Sequence, residues 1–157
     1  MSSINFPCMA SPAPGRTFMK DLQQLSRTID ASTDGQASID GIDEMTVKVS
    51  LRPKAGFNAH AEFLVTIECC ATYPRSRPTV TFNTPILHPN IDAASGSVCL
   101  SILDGWQSCY SLIDLVKAIL YLIAHPIFHS PYIRIRPYCG IKRREVYYSD
   151  FGCQLPV

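Results

Sequence analysis

The 157 residues carry a net charge of +1, with 46% hydrophobic and 17% charged side chains. This is globular composition at the length of one domain, which excludes an intrinsically disordered chain and leaves no bulk charge to attract nucleic acid or a membrane surface. Seven cysteines, an odd number with no C-x-x-C pair among them and no secretory signal ahead of them, argue against a disulfide framework and a metal site. A reducing compartment, cytoplasmic or nuclear, is expected.

Residues 1–15 are small, polar and proline-punctuated, and read as a flexible extension ahead of a single domain over 16–157. From Thr17 the period becomes helical: Phe18, Leu22, Leu25 and Ile29 form one apolar stripe. Asp34-Gly35 and Asp40-Gly41 then read as turns. Thr46 to Leu51 alternates, with Val47 and Val49 on one side and Lys48 on the other. After a turn at Pro53-Lys54-Ala55-Gly56, Phe63, Val65 and Ile67 alternate again, so the two runs predict an antiparallel hairpin. Thr79 to Phe82, bounded by prolines, predicts an outer strand. Cys69 and Cys70 read as core or half-buried thiols.

The stretch from His88 to Trp106, HPNIDAASGSVCLSILDGW, is the one on which the chemistry turns. It places a proline turn (His88-Pro89-Asn90) shortly before a thiol, Cys99. These parts fit acyl transfer, because a thiol can carry an acyl group and the Asn90 carboxamide can donate to a developing oxyanion. Cys109 lacks the preceding turn, which favours Cys99 as the nucleophile. Ser111 and Asp114 then stand at capping-box spacing before Leu112, Leu115, Val116, Ile119, Leu120 and Ile123, predicting a buried central helix that stops at His125-Pro126. This apolar run is too short to cross a bilayer, and Asp114 and Lys117 interrupt it. Beyond it a basic cluster, Arg134, Arg136, Lys142, Arg143 and Arg144, reads as solvated surface, and Ile141 to about Phe151 as a short helix.

The order of these parts, with Tyr73-Pro74 and Pro78, His88-Pro89-Asn90, Cys99-Leu100 and Trp106, resembles the ubiquitin-conjugating enzyme family over nearly the whole chain. The resemblance implies an α+β fold: an N-terminal helix, an antiparallel four-stranded meander, a central buried helix and a shortened C-terminal helical region. It implies a transferase that holds a ubiquitin-like modifier as a thioester on Cys99 and passes it to a substrate lysine. Asn90 would be the oxyanion donor and brace of the loop, with His88, Pro89 and Trp106 supporting the site. No cofactor is implied. The implied partners are the modifier, its ATP-driven activating enzyme, a RING-type ligase or co-ligase and a protein substrate; nucleic acid and membrane are not among them. The compact turn Arg52-Pro53-Lys54-Ala55-Gly56-Phe57 is similar to that of the neddylation branch, which modifies cullins; residues 1–15 stand where that branch has a docking extension but lack its alternating leucines and lysines.

Several positions depart from the family pattern. Arg77 stands where the family has a proline, and Arg75 where many members contact a ligase. The Asn90–Cys99 gap is one residue longer than usual and the Cys99–Trp106 gap one shorter, which predicts a rearranged loop. Gln107, Ser108 and Cys109 alter another ligase-facing loop. Ser130 falls where the family often has an acid that orients or deprotonates the incoming lysine, so Ser130 would position the amine, with His129 as a substitute acceptor. These departures keep open a ubiquitin-charging enzyme and a non-catalytic binding module of the same fold. An unrelated cysteine hydrolase would need a histidine base held by a third group, and no such signature surrounds Cys99.

Overall fold

The structure, a computed structural model, describes residues 14–127. Residues 1–13 of the extension, Ser130, His129, the basic cluster and the short helix predicted from Ile141 lie outside these residues, whereas Pro14 and Gly15, read as part of the extension, belong to the first helix. Helix α1 runs Pro14–Ser32, three residues ahead of the start marked by the stripe. Proline is accepted at a first helical position because its missing N–H would have had no intrahelical partner. Phe18, Leu22, Leu25 and Ile29 are all buried, so the stripe is the face that α1 turns to the core. The helix ends where Asp34 and Gly35 both take positive φ, with the Gly35 N–H donating to the Asp30 carbonyl.

Strands β1 (Ala37–Asp43), β2 (Thr46–Leu51), β3 (Phe63–Glu68) and β4 (Thr79–Phe82) form one antiparallel sheet in the order β1-β2-β3-β4. The predicted β2–β3 hairpin is present, and its register stacks Val47 on Ile67, Val49 on Val65 and Leu51 on Phe63. These pairs point one way and are buried, which is the cross-strand unit that stabilises a sheet face. β4 is the outer strand, pairing with β3 alone among the strands.

Asp40-Gly41 is not a turn. Both residues lie within β1, where the register jumps from Ile39↔Val49 to Gly41↔Lys48 and leaves Asp40 as the extra residue of a bulge. The reversal into β2 comes instead at Glu44-Met45, with Glu44 at φ 48°.

Two helices follow the sheet. The short α2 (Ser101–Asp104) is a feature that the apolar run after Cys99 did not reveal. Helix α3 (Leu112–Ala124) starts on the predicted capping box: Ser111 Oγ accepts from the Asp114 N–H, and the Asp114 carboxylate accepts from the Ser111 N–H. Ile113 and Leu122 are buried along with the six predicted positions, because α3 is packed on more than one flank, α1 lying beside it. The turn after β2 abuts its far end. A Cβ on Gly56, which has φ 85°, would come within 2.8 Å of the Ala124 Cα.

Candidate active site

The loop from His88 to Cys99 is held on three sides. On the first, the buried His88 ring spans the loop and α3: its Nε2–H donates to the Leu122 carbonyl at 2.9 Å, and Nδ1 accepts the Asn90 N–H at 3.2 Å. Both ring nitrogens are thus occupied, and the neutral ring with hydrogen on Nε2 is the form that satisfies both bonds. Burial pushes the imidazole pKa down from its ordinary 6.5. An imidazole so placed orients the loop and has no nitrogen left to relay a proton.

On the second side stands Asn90, 5% exposed. Its Nδ2 donates to the Ile127 carbonyl and its Oδ1 accepts from the Ile127 N–H, each at 2.9 Å. The carboxamide therefore satisfies both main-chain polar groups of one residue and ties the loop to the chain just beyond α3. Pro89, half-buried, separates these two anchors.

The third side is the sheet. Ile91 bridges Val98, Ser97 bridges Thr81 of β4, and the Asp92 N–H donates to the Ser97 carbonyl at 2.9 Å, so the loop folds back as a small hairpin against the edge strand. Gly96 makes this approach possible. It sits at φ 70°, and a Cβ there would lie 2.2 Å from the Phe82 carbonyl oxygen. The Asp92 carboxylate accepts from Ser95 Oγ at 2.6 Å and stiffens the tip.

Cys99 emerges at the end of it. Its N–H donates to the Asn90 carbonyl at 2.8 Å, so the thiol-bearing residue is registered on the residue whose carboxamide is fixed. Cys99 is of intermediate exposure, neither sealed in the core nor projecting from the surface. Trp106, partly buried, is fixed by an earlier loop and its own: Nε1–H donates to the Pro74 carbonyl at 2.8 Å, and the ring packs on Tyr73 and Tyr110 with centroids 6.2 and 5.8 Å apart. Tyr73, fully buried, donates a hydrogen bond from its hydroxyl to the Asp21 carboxylate on α1. Desolvation raises the pKa of that carboxyl.

The other thiols divide by burial. Cys69 belongs to the core, and burial pushes its thiol up to about 12. Cys70, in contrast to its reading as a core or half-buried thiol, is exposed, because it follows the end of β3 with its side chain on the opposite face. A hydrogen bond with Thr72 lowers the Cys70 thiol pKa. Cys109 is exposed in the loop beyond Trp106. Among the described residues no group of three or more His, Cys, Asp or Glu side chains is arranged to hold a metal ion. Nor is any helix among the described residues long and apolar enough to cross a membrane. The sequence reading missed Leu122, Ile127 and Phe82. All three act on the loop through main-chain atoms, to which no residue type or spacing is a guide.

A helix-capped sheet with a braced His-Pro-Asn loop ending in a half-exposed thiol has relatives. The sequence model of the ubiquitin-conjugating enzyme family matches residues 17–147. The ubiquitin-conjugating enzyme E2 PEX4 of Gibberella zeae is 43% identical over 70 residues, 44% of this chain and 41% of that protein. A probable NEDD8-conjugating enzyme, Ubc12-like, of Arabidopsis thaliana is 29% identical over 90 residues, 57% of this chain and 48% of that one. The matches thus span less than half the length of either relative. Among solved structures, Ubc12 of Saccharomyces cerevisiae superposes with a TM-score of 0.63 at 25% identity, covering 73% of this chain and 64% of the other. The family match takes in α1, the whole sheet, the braced loop and α3, so this chain belongs to the ubiquitin-conjugating enzyme family.

Proposed function

We propose that the chain is a conjugating transferase that receives a ubiquitin-like modifier on Cys99 and delivers it to a substrate lysine. In the first transfer the Cys99 thiolate attacks the thioester on the activating enzyme, whose cysteine leaves. One thioester is exchanged for another, so the free-energy change is small. In the second, a lysine amine attacks the Cys99 thioester, the sulfur leaves as thiolate and an isopeptide bond forms. The observation that supports this reading best is the main-chain bond from Cys99 to Asn90, which joins the backbone of a half-exposed cysteine to that of a residue whose carboxamide is fixed by two hydrogen bonds. A carboxamide nitrogen has two hydrogens. One goes to Ile127, and the second is the oxyanion donor of the proposal, held rigid before charge develops.

Ser130 is proposed to position the incoming amine and His129 to accept its proton. The activating enzyme and a RING-type ligase are the expected partners, in a cytoplasmic or nuclear setting. NEDD8 is the modifier favoured by the short turn over Arg52 to Phe57 and the likeness to a probable NEDD8-conjugating, Ubc12-like enzyme and to Ubc12. Ubiquitin is the second reading, favoured by the higher identity to PEX4, a ubiquitin-conjugating enzyme.

The test is charging of the purified chain with NEDD8 or ubiquitin, each with its own activating enzyme and ATP. The reading requires a reductant-sensitive adduct that is lost in Cys99→Ala, and the modifier accepted decides between the two. No adduct with either modifier overturns both.

A further inference from the structure

The segment that carries Cys99 has little local means of holding its shape. Helix α2, which starts two residues after the thiol, is four residues long, far short of the roughly 12 at which an isolated helix becomes even marginal. Its N-cap, Leu100, supplies no side-chain cap, and no basic residue of its own lies in its last turn. Instead it ends on an acid, Asp104. The buried Leu103 anchors it from below.

The missing cation comes from another loop. Arg77, between Tyr73 and Pro78, directs Nη1 to the Leu103 carbonyl at 3.4 Å and to the Asp104 carboxylate at 3.3 Å. One guanidinium thereby answers a carbonyl at the end of the helix and pairs with the carboxylate beside it. Trp106 ties the far end of the same segment to Pro74. The loop 73–78 and the segment 99–106 are therefore joined at two points, and Arg77 is the one nearer the thiol in sequence.

We infer that Arg77 is a positioning residue for the Cys99 thiol, acting through α2; its catalytic significance rests on Cys99 being the modifier carrier. The pair is exposed, with side chains 61% and 67% accessible. Its effect is therefore on local opening of α2 and not on global stability.

The experiment is alkylation of the full chain by iodoacetamide, with the rate at each cysteine followed by peptide mass spectrometry. Cys70, exposed, reports reagent and solvent conditions, and Cys69, buried, reports global unfolding. Arg77→Ala is expected to speed alkylation of Cys99 about two- to five-fold, the range an exposed ion pair supports, with Cys69 and Cys70 unchanged. The reversed pair, Arg77→Asp with Asp104→Arg, returns Cys99 most of the way to the parent rate. If Arg77→Ala does not fold, Arg77→Lys takes its place, with a smaller rise expected because ammonium lacks the guanidinium fork. An unchanged Cys99 rate, or one that rises in step with Cys69, overturns the inference. Alkylation needs no modifier, so a chain that fails to charge removes the proposed function without deciding the role of Arg77.

Discussion

The Asn90 carboxamide bonds both main-chain polar groups of Ile127, 37 positions away in the chain: it donates to the carbonyl and accepts from the N–H. This pairing makes the carboxamide a brace first, and any oxyanion role is superimposed on it. Asn90→Ala leaves the Ile127 N–H and carbonyl to water. Ile127 is 45% exposed, so these groups rehydrate, and the expected loss is about 1–2 kcal/mol in urea denaturation. If Asn90 also steadies the oxyanion, lysine discharge in that variant slows much more than thioester charging. Equal slowing of the two steps would leave only the brace.

His88 predicts a pH dependence of stability. Burial lowers the folded-state pKa of the ring below its ordinary 6.5. The unfolded chain therefore takes up a proton before the folded one does, and stability falls as pH drops. The contribution is complete above about pH 6.5 and is lost through the folded pKa below it. Protonating Nδ1 would also set an N–H against the Asn90 N–H that it now accepts. Urea midpoints measured between pH 7.5 and pH 5 should decline in the parent and decline less in His88→Gln, which cannot titrate.

Gly96 cannot accept a side chain. A left-handed backbone combined with a Cβ position 2.2 Å from the Phe82 carbonyl means that the loop must leave β4 if a methyl is added. Gly96→Ala is expected to cost at least about 2 kcal/mol by thermal or chemical unfolding. Gly41→Ala is the control: a Cβ there meets only the Lys48 Cδ, at 4.0 Å, and a small effect is expected.

Ser111→Ala removes half of the α3 capping box while leaving the buried face intact. The expected cost is about 1 kcal/mol, measured as a shift in the unfolding midpoint. A larger loss would mean that Ser111 supports more than the helix terminus.

Much of the scaffold was legible because it is written in local periodicity. The stripe from Phe18 to Ile29, the alternation in β2 and β3 and the Ser111–Asp114 spacing each concern residues that meet within one element, so the order of side chains is enough. Asp40-Gly41 was misread for an equally physical reason. A residue pair that favours a turn also suits a bulge, and only the register of β1 on β2 decides between them. Likewise Ile113 and Leu122 join the α3 core because of what packs beside that helix, which its own sequence does not contain.

By itself the sequence determined which residues are chemically able to act: a thiol, a carboxamide and a proline turn, in an order that matches one family. Tertiary structure alone decided how they are held. The Leu122 carbonyl accepts the His88 hydrogen bond from 34 positions away, Phe82 presses on Gly96 across the sheet edge, and Arg77 reaches Asp104 from a separate loop. Side-chain identity sets what a group can donate or accept. The main-chain partners that use up or leave open that capacity are brought together only when the helices close over the sheet.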